Sequence, residues 1–203
     1  MSPLVEFSTS SAAETQHIAH QLGALLRAGD LLILSGGLGA GKTTFTQGLG
    51  HGLGVRPGII SPTFVLVRIH PNLAEGHNPG GPDLVHVDAY RLGSAAEIDD
   101  IDLENTLDGA VTVVEWGADR VEHLAESRLE IELVRATGAD DHASTQDTAA
   151  GHDTSNDFSH DFSEEEGGED EARIVRIRAV GPRWEGVDLS GLAEENQRPS
   201  GVE

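Results

Sequence analysis

Gly36-Gly37-Leu38-Gly39-Ala40-Gly41-Lys42-Thr43 matches the spacing G-x-x-x-x-G-K-[ST]. Each position has a chemical reason. Glycines admit backbone conformations closed to other residues, so successive N–H groups can turn inward on phosphate oxygens. A helix starting near Lys42 would add the positive end of its dipole. Lys42 supplies a full charge for the β- and γ-phosphates, and the Thr43 hydroxyl can ligate Mg. Lys42 is also the only lysine among 13 basic residues. A chain that otherwise uses arginine thus places a compact ammonium at a point that arginine's planar fork fills poorly. The bland alternative is a flexible glycine turn. The flanks argue against it, because an apolar run precedes the stretch and a helical pattern follows it.

A phosphate loop with Mg needs a carboxylate as well, normally at the end of a neighbouring strand. Asp88 ends the run Leu84-Val85-His86-Val87-Asp88, and Glu115 ends Val111-Thr112-Val113-Val114-Glu115. Open α/β sheets hold ligands at the carboxyl ends of their strands, where both acids would lie. Either acid alone could be a solvated strand end. The histidines carry less signal. His142, His152 and His160 lie in an acidic stretch without preorganised geometry for a metal. His86 and His123 read as ordinary surface or packing residues.

Elements must position these groups. Ser11-Ala12-Ala13-Glu14 has the capping-box form, and Ile18, Leu22, Leu25 and Leu26 follow at helical spacing. This predicts a helix over 12–28, ended by Gly29-Asp30. Leu31 to Leu34 reads as a buried parallel strand. Residues 42–53 read as a helix closed by Gly54. A strand is expected over 64–69, a loop over 71–82, and short helices over 94–107 and 118–126. Residues 129–134 and 174–180 alternate apolar with charged, as half-exposed strands that could pair as a hairpin. Between these strands, residues 138–172 hold 12 acids and no lysine or arginine. So polar a segment is expected to be a disordered acidic insertion, and residues 182–203 a flexible C-terminal tail. One domain is therefore expected from residues 1–137 and 173–181. Its class is α/β: a three-layer fold of the phosphate-loop NTPase kind, with a mostly parallel sheet and antiparallel edge strands.

Composition narrows the function. Only 37% of the residues are apolar and 4% aromatic, so the core is smaller than 203 residues could build. A net charge of −22 opposes phosphate backbones, so direct, tight nucleic-acid binding by this chain alone is not expected. No cysteine is present, which removes disulfides and thiolate chemistry. With no signal-like N-terminus and no run of 18 apolar residues, a cytoplasmic protein without membrane contact is expected.

Taken with Ser61-Pro62-Thr63-Phe64, His86-Val87-Asp88-Ala89-Tyr90-Arg91-Leu92 and Val114-Glu115-Trp116, the loop Gly37 to Phe45 resembles the TsaE (YjeE) family. The resemblance covers residues 8–135 and a last strand near 173–180. It implies a Mg-dependent ATPase needed for threonylcarbamoyladenosine at adenosine 37 of tRNAs that read A-starting codons. The implied partners are TsaD and TsaB, with the ATP cycle resetting their complex. Gly36 to Thr43, Thr44 and Trp116 would bind ATP, with Thr43 and Glu115 as Mg ligands. Lys42 and Asp88 would be the catalytic pair, Asp88 orienting the attacking water. Ser61 and Thr63 would form a switch-like segment, Ser10 to Thr15 would lie near the adenine, and Tyr90 and Arg91 would contact the partner or brace the site. The chain departs from the family at Gly37, where an acid is usual, at His70, where a tyrosine is common, and in the acidic insertion. Two other readings of the loop stay open: a small-molecule kinase, and a nucleotide-gated regulator without useful turnover alone.

Overall fold

The computed structural model describes residues 4–92, 97, 103–135 and 171–197. In chain order the strands are β1 (Leu4–Thr9), β2 (Leu31–Ser35), β3 (Val67–His70), β4 (Asp83–Asp88), β5 (Ala110–Glu115), β6 (Arg128–Arg135) and β7 (Arg173–Val180). The helices are α1 (Ala12–Gly23), α2 (Lys42–Leu53) and the single-turn α3 (Glu104–Leu107). The strands form one sheet in the order β1-β7-β6-β2-β5-β4-β3. β6, β2, β5 and β4 are mutually parallel, while β7 and β3 run antiparallel to their neighbours. The expected parallel centre with antiparallel edges is therefore present, and β6 and β7 pair as expected.

The central strands are buried on both faces, which is why β2 and β5 read as continuous apolar runs. Leu32, Leu34, Val111 and Val113 point towards α1 and α2 and build the larger core. Leu31, Ile33, Val85, Val87 and Val114 point the other way, to a smaller core with Leu92, Leu103 and Leu107. The same alternation turns His86, Asp88 and Glu115 towards the α2 side.

Several elements differ from expectation. α1 stops at Gly23 because the following turn tightens: Leu25 and Leu26 donate to carbonyls three residues back, and the Asp30 carboxylate accepts the Arg27 N–H. β3 begins three residues late because Val65 and Leu66 donate to the Pro62 carbonyl, folding residues 62–66 into a turn. Of residues 118–126, only Glu122–Leu124 is helical, as one 3-10 turn. Most of 93–102, and 136–170, lie outside the described residues, and so does nearly all of the expected insertion 138–172. β1 was not anticipated, since as an edge strand it buries only Phe7 and Thr9.

The expectation of a loose tail over 182–203 is corrected for its first part; residues 198–203 lie outside the described residues. Pro182–Trp184 makes a 3-10 turn, and Trp184, Leu189 and Leu192 join the larger core. Arg183 pairs with buried Asp30 at 3.0 Å and lies 4.2 Å over the Trp184 ring. The three apolar side chains bury enough surface to order this stretch, whose polar composition hid them.

α1 and α2 pack backbone to backbone. A Cβ on Gly48 would lie 2.3 Å from the Gln16 carbonyl oxygen, and one on Gly52 2.1 Å from that of His20. Beside this contact, the His20 and His51 rings lie 4.6 Å apart, with His77 at 5.7 Å from His51. Burial, and then the neighbouring His51, His77 and His17, lower the basicity of His20. Among the described residues, no group of three histidine or carboxylate side chains is set to hold an ion. Forcing a methyl into the helix contact should be costly, because the obstacle is backbone. We expect Gly48→Ala to lose about 1–3 kcal/mol in urea unfolding, and Gly191→Ala, where an added Cβ meets nothing within 4 Å, to stay near wild type.

Candidate nucleotide site

β2 delivers the chain to Gly36 at the carboxyl edge of the sheet. The loop then turns through left-handed conformations at Gly39 and at Gly41, the residue before α2, with φ of 72° and 97°. At Gly36 the constraint is also space, since a Cβ would lie 2.3 Å from the Leu133 carbonyl oxygen. Lys42 opens α2 and is almost wholly buried. Its Nζ donates to the Gly36 and Gly37 carbonyls, both at 2.9 Å, and sits 3.7 Å from the centre of the Trp116 ring. Burial lowers its pKa, and the Glu115 and Asp88 charges act against that.

The two strand-end acids converge on this helix terminus. In the β4–β5 register Asp88 is opposite Glu115, and both are nearly inaccessible. Thr43 Oγ1 donates to Glu115, at 3.0 Å from Oε1 and 3.3 Å from Oε2. Glu115 Oε1 also lies 2.8 Å from His86 Nε2. Asp88 Oδ2 accepts the hydroxyls of Ser61, at 3.0 Å, and Thr63, while Oδ1 accepts the Tyr90 N–H at 2.9 Å. Asp88 therefore ties the Ser61–Thr63 segment to the sheet.

Lys42, Thr43, Thr44, Ser61, Thr63, Asp88, Glu115 and Trp116 line one cleft of about 380 Å³, together with Leu38, Gly39 and Gly41. Gly36 and Gly37 line a neighbouring cavity across Trp116, with Tyr90. Ala40 is buried within the loop. Tyr90 packs 5.1 Å from Trp116, and the Arg91 guanidinium is 5.7 Å from Phe64 in the Pro62 turn, so both lie along the rim. Trp116 itself adopts φ 62°, a strained value for a bulky residue. Ser10 to Thr15 is not part of the cleft lining; it starts α1 directly after Thr9, which pairs with the cleft residue Arg173. Ser11 Oγ accepts the Glu14 N–H at 3.2 Å, and Glu14 accepts the Ser10 N–H and hydroxyl.

Sequence reasoning missed three residues. Arg173, at the start of β7, also lines the cleft, and Arg135 on β6 donates to the Gly39 carbonyl at 3.1 Å. Glu171 pairs with both arginines. Only the pairing of β6 with β7 reveals them. The third is His86, read as an ordinary residue but fully buried against Glu115. The period-two relation His86-x-Asp88 could have placed it on the site's face.

A glycine loop between the central parallel strand and a helix, faced by acids at the ends of β5 and of β4 beyond it, defines a protein of the phosphate-loop NTPase type. The chain belongs to the TsaE family of threonylcarbamoyl adenosine biosynthesis proteins, whose family model matches residues 9–143. It is 46% identical over 179 residues to TsaE of Streptomyces coelicolor, covering 88% of this chain and 99% of that protein. It is 37% identical to TsaE of Bacillus subtilis over 73% of this chain and 87% of that one. The fold is similar to the crystal structure of Bacillus subtilis YdiB, with a TM-score of 0.62, 28% identity, and coverage of 97% and 99%. No helix among the described residues is long and apolar enough to cross a membrane.

His70, behind the site, has no accessible surface and, among the described residues, no partner for either ring nitrogen. Burial, and then His86, Arg56 and Arg68, push its pKa down to about 4 from 6.5. The folded chain therefore resists a proton that the unfolded chain accepts near pH 6.5. This contribution is neutral above that pH, weakens the fold as pH falls from 6.5 to about 4, and levels off below. In urea unfolding at pH 7 and pH 5, His70→Leu should lose about 2 kcal/mol less than wild type between the two. Equal losses would remove His70 as the cause.

Proposed function

We propose that this chain is a Mg-dependent ATPase acting with TsaD and TsaB in the threonylcarbamoyl modification of adenosine 37 in tRNAs that read A-starting codons. The observation that carries this reading is the convergence of Lys42, Thr43, Asp88 and Glu115 in one cleft at the carboxyl edge of the sheet. The family supplies the pathway, and the cleft supplies the chemistry.

The donor set suits Mg and a triphosphate. Thr43 Oγ1 and the Glu115 carboxylate already touch, and both are hard oxygen ligands of the kind Mg prefers. Those two residues would hold the ion, which when bound offsets charge on the phosphates. Residues 36–44 would cradle the phosphates, with Trp116 beside them. Lys42 Nζ, now on the loop's own carbonyls, would exchange them for phosphate oxygens. This regains a charge partner for a buried ammonium.

In hydrolysis a water oxygen bonds to the γ-phosphorus as the bridging oxygen bond to ADP breaks. Asp88 is the group we assign to orient that water. It is a buried carboxylate held by three donors, so its oxygens are fixed in direction. Because Ser61 and Thr63 bond the same oxygen, rearrangement of Asp88 on turnover would move that segment. Tyr90, Arg91 and the exposed Phe64 would carry the change to the partner proteins. The chain would thus convert a phosphate event into a change of surface, in the cytoplasm, without itself binding tRNA tightly.

Lys42→Ala should lower ATP affinity by at least about 30-fold in equilibrium titration; unchanged affinity would refute the loop assignment. Asp88→Asn should keep ATP affinity within a few-fold and lose about 10²–10³ in hydrolysis rate. Loss of binding in that variant would instead make Asp88 a structural anchor for Ser61 and Thr63. Steady-state hydrolysis should change when TsaB and TsaD from the same organism are added together. A rate indifferent to both would remove the partner assignment, and phosphate transfer to a small acceptor would make the chain a kinase.

A further inference from the structure

His86 lies two residues before Asp88 on β4, so strand alternation puts both on the α2 side of the sheet. It has no accessible surface. Its Nε2 is 2.8 Å from Glu115 Oε1. An ionised carboxylate can only accept, so Nε2 is the nitrogen that carries hydrogen. Among the described residues its Nδ1 has no partner, and neither has either nitrogen of His70, whose ring centre is 6.0 Å away.

Burying a polar ring costs free energy unless its hydrogen bonds are made. A side chain needed only to fill this space would be apolar, like the neighbouring Leu84 and Val113. Among the described residues, the one side-chain bond His86 makes is to the acid that Thr43 also contacts, on the same oxygen and its neighbour. The Glu115 carboxylate is therefore held from two directions. The imidazole holds Oε1 from behind the sheet edge, and the Thr43 hydroxyl bridges from α2. Without His86, the carboxylate could turn about its last torsion, which is broad for sp² ends.

We infer that His86 is a positioning residue for Glu115, holding the carboxylate in the orientation in which it and Thr43 can share a divalent cation. The inference rests on the proposed role of Glu115 as a Mg ligand. Groups that hydrogen-bond a metal-ligating side chain set its direction, and losing one typically weakens metal binding by about 10–100-fold.

The test uses the full chain and reads ADP affinity as a function of free Mg²⁺ by equilibrium titration, so turnover is not needed. His86→Leu should raise the Mg²⁺ concentration at half-effect by about 10-fold or more and leave Mg-free ADP affinity unchanged. His86→Gln, whose amide nitrogen has the reach of Nε2, should restore the wild-type Mg²⁺ dependence, while the shorter His86→Asn should not. This pair keeps the test decisive if the leucine variant does not fold. Equal behaviour of the glutamine and asparagine variants would overturn the inference. So would a His86→Leu chain that loses ADP affinity equally with and without Mg²⁺, the signature of a packing role. Glu115→Gln separates the two layers: if it leaves the Mg²⁺ dependence unchanged, the reading of Glu115 itself fails. If it shifts that dependence and His86→Leu does not, only the role of His86 falls.

Discussion

β2 ends at Ser35 with parallel neighbours on both sides, and the rest of the site is measured from that end. In a parallel sheet, hydrogen-bond register fixes how far each strand reaches. Because Leu34 pairs with Glu115, and Glu115 in turn with Asp88, the two acids finish level with the start of the glycine loop. The loop must then reverse within a few residues to start α2 over the same edge. That reversal uses backbone angles only glycine adopts freely, and at Gly36 it passes too close to the Leu133 carbonyl for any side chain. The register brings Thr43 within hydrogen-bond distance of Glu115.

The edge is polar and buried at once, which makes it costly. Lys42, His86, Asp88 and Glu115 are all nearly inaccessible, and His70 lies behind them with no partner among the described residues. Each charge is offset by a specific contact: Lys42 by two carbonyls and an aromatic face, Glu115 by Thr43 and His86, Asp88 by two hydroxyls and a backbone N–H. Strained backbone gathers in the same place, at Leu66 and Trp116. A fold kept only for stability would replace such a cluster with apolar residues. Its retention here is consistent with a binding site.

Support for the site comes from the opposite side of α2. That helix is held against α1 by glycines close enough to bring the two backbones together, so it has little freedom to slide. The C-terminal stretch then closes the far end of the same core through Trp184, Leu189 and Leu192, with Arg183 locked onto Asp30 at the entry to β2. Residues remote from the cleft thus fix both ends of the β2–loop–α2 unit.

The sequence by itself determined the local chemistry. The loop spacing, the limits of α2, the apolar runs of β2, β4 and β5, and the acids Asp88 and Glu115 were legible because each depends on neighbours within a few residues. The alternation in β6 and β7 likewise announced half-exposed strands. Tertiary structure alone decided what meets what. Arg135 and Arg173 reach the phosphate loop because β7 pairs with β6, a contact between positions 38 residues apart whose pattern carries no mark of the loop. His86 reads as an ordinary residue until the β4–β5 register sets it against Glu115. The C-terminal stretch looked loose because its composition is polar on average, whereas order came from three side chains finding one core. Periodicity reports which face a residue takes; only the packed sheet assigns the partner on that face, because long-range register arises from the whole core rather than from any segment of it.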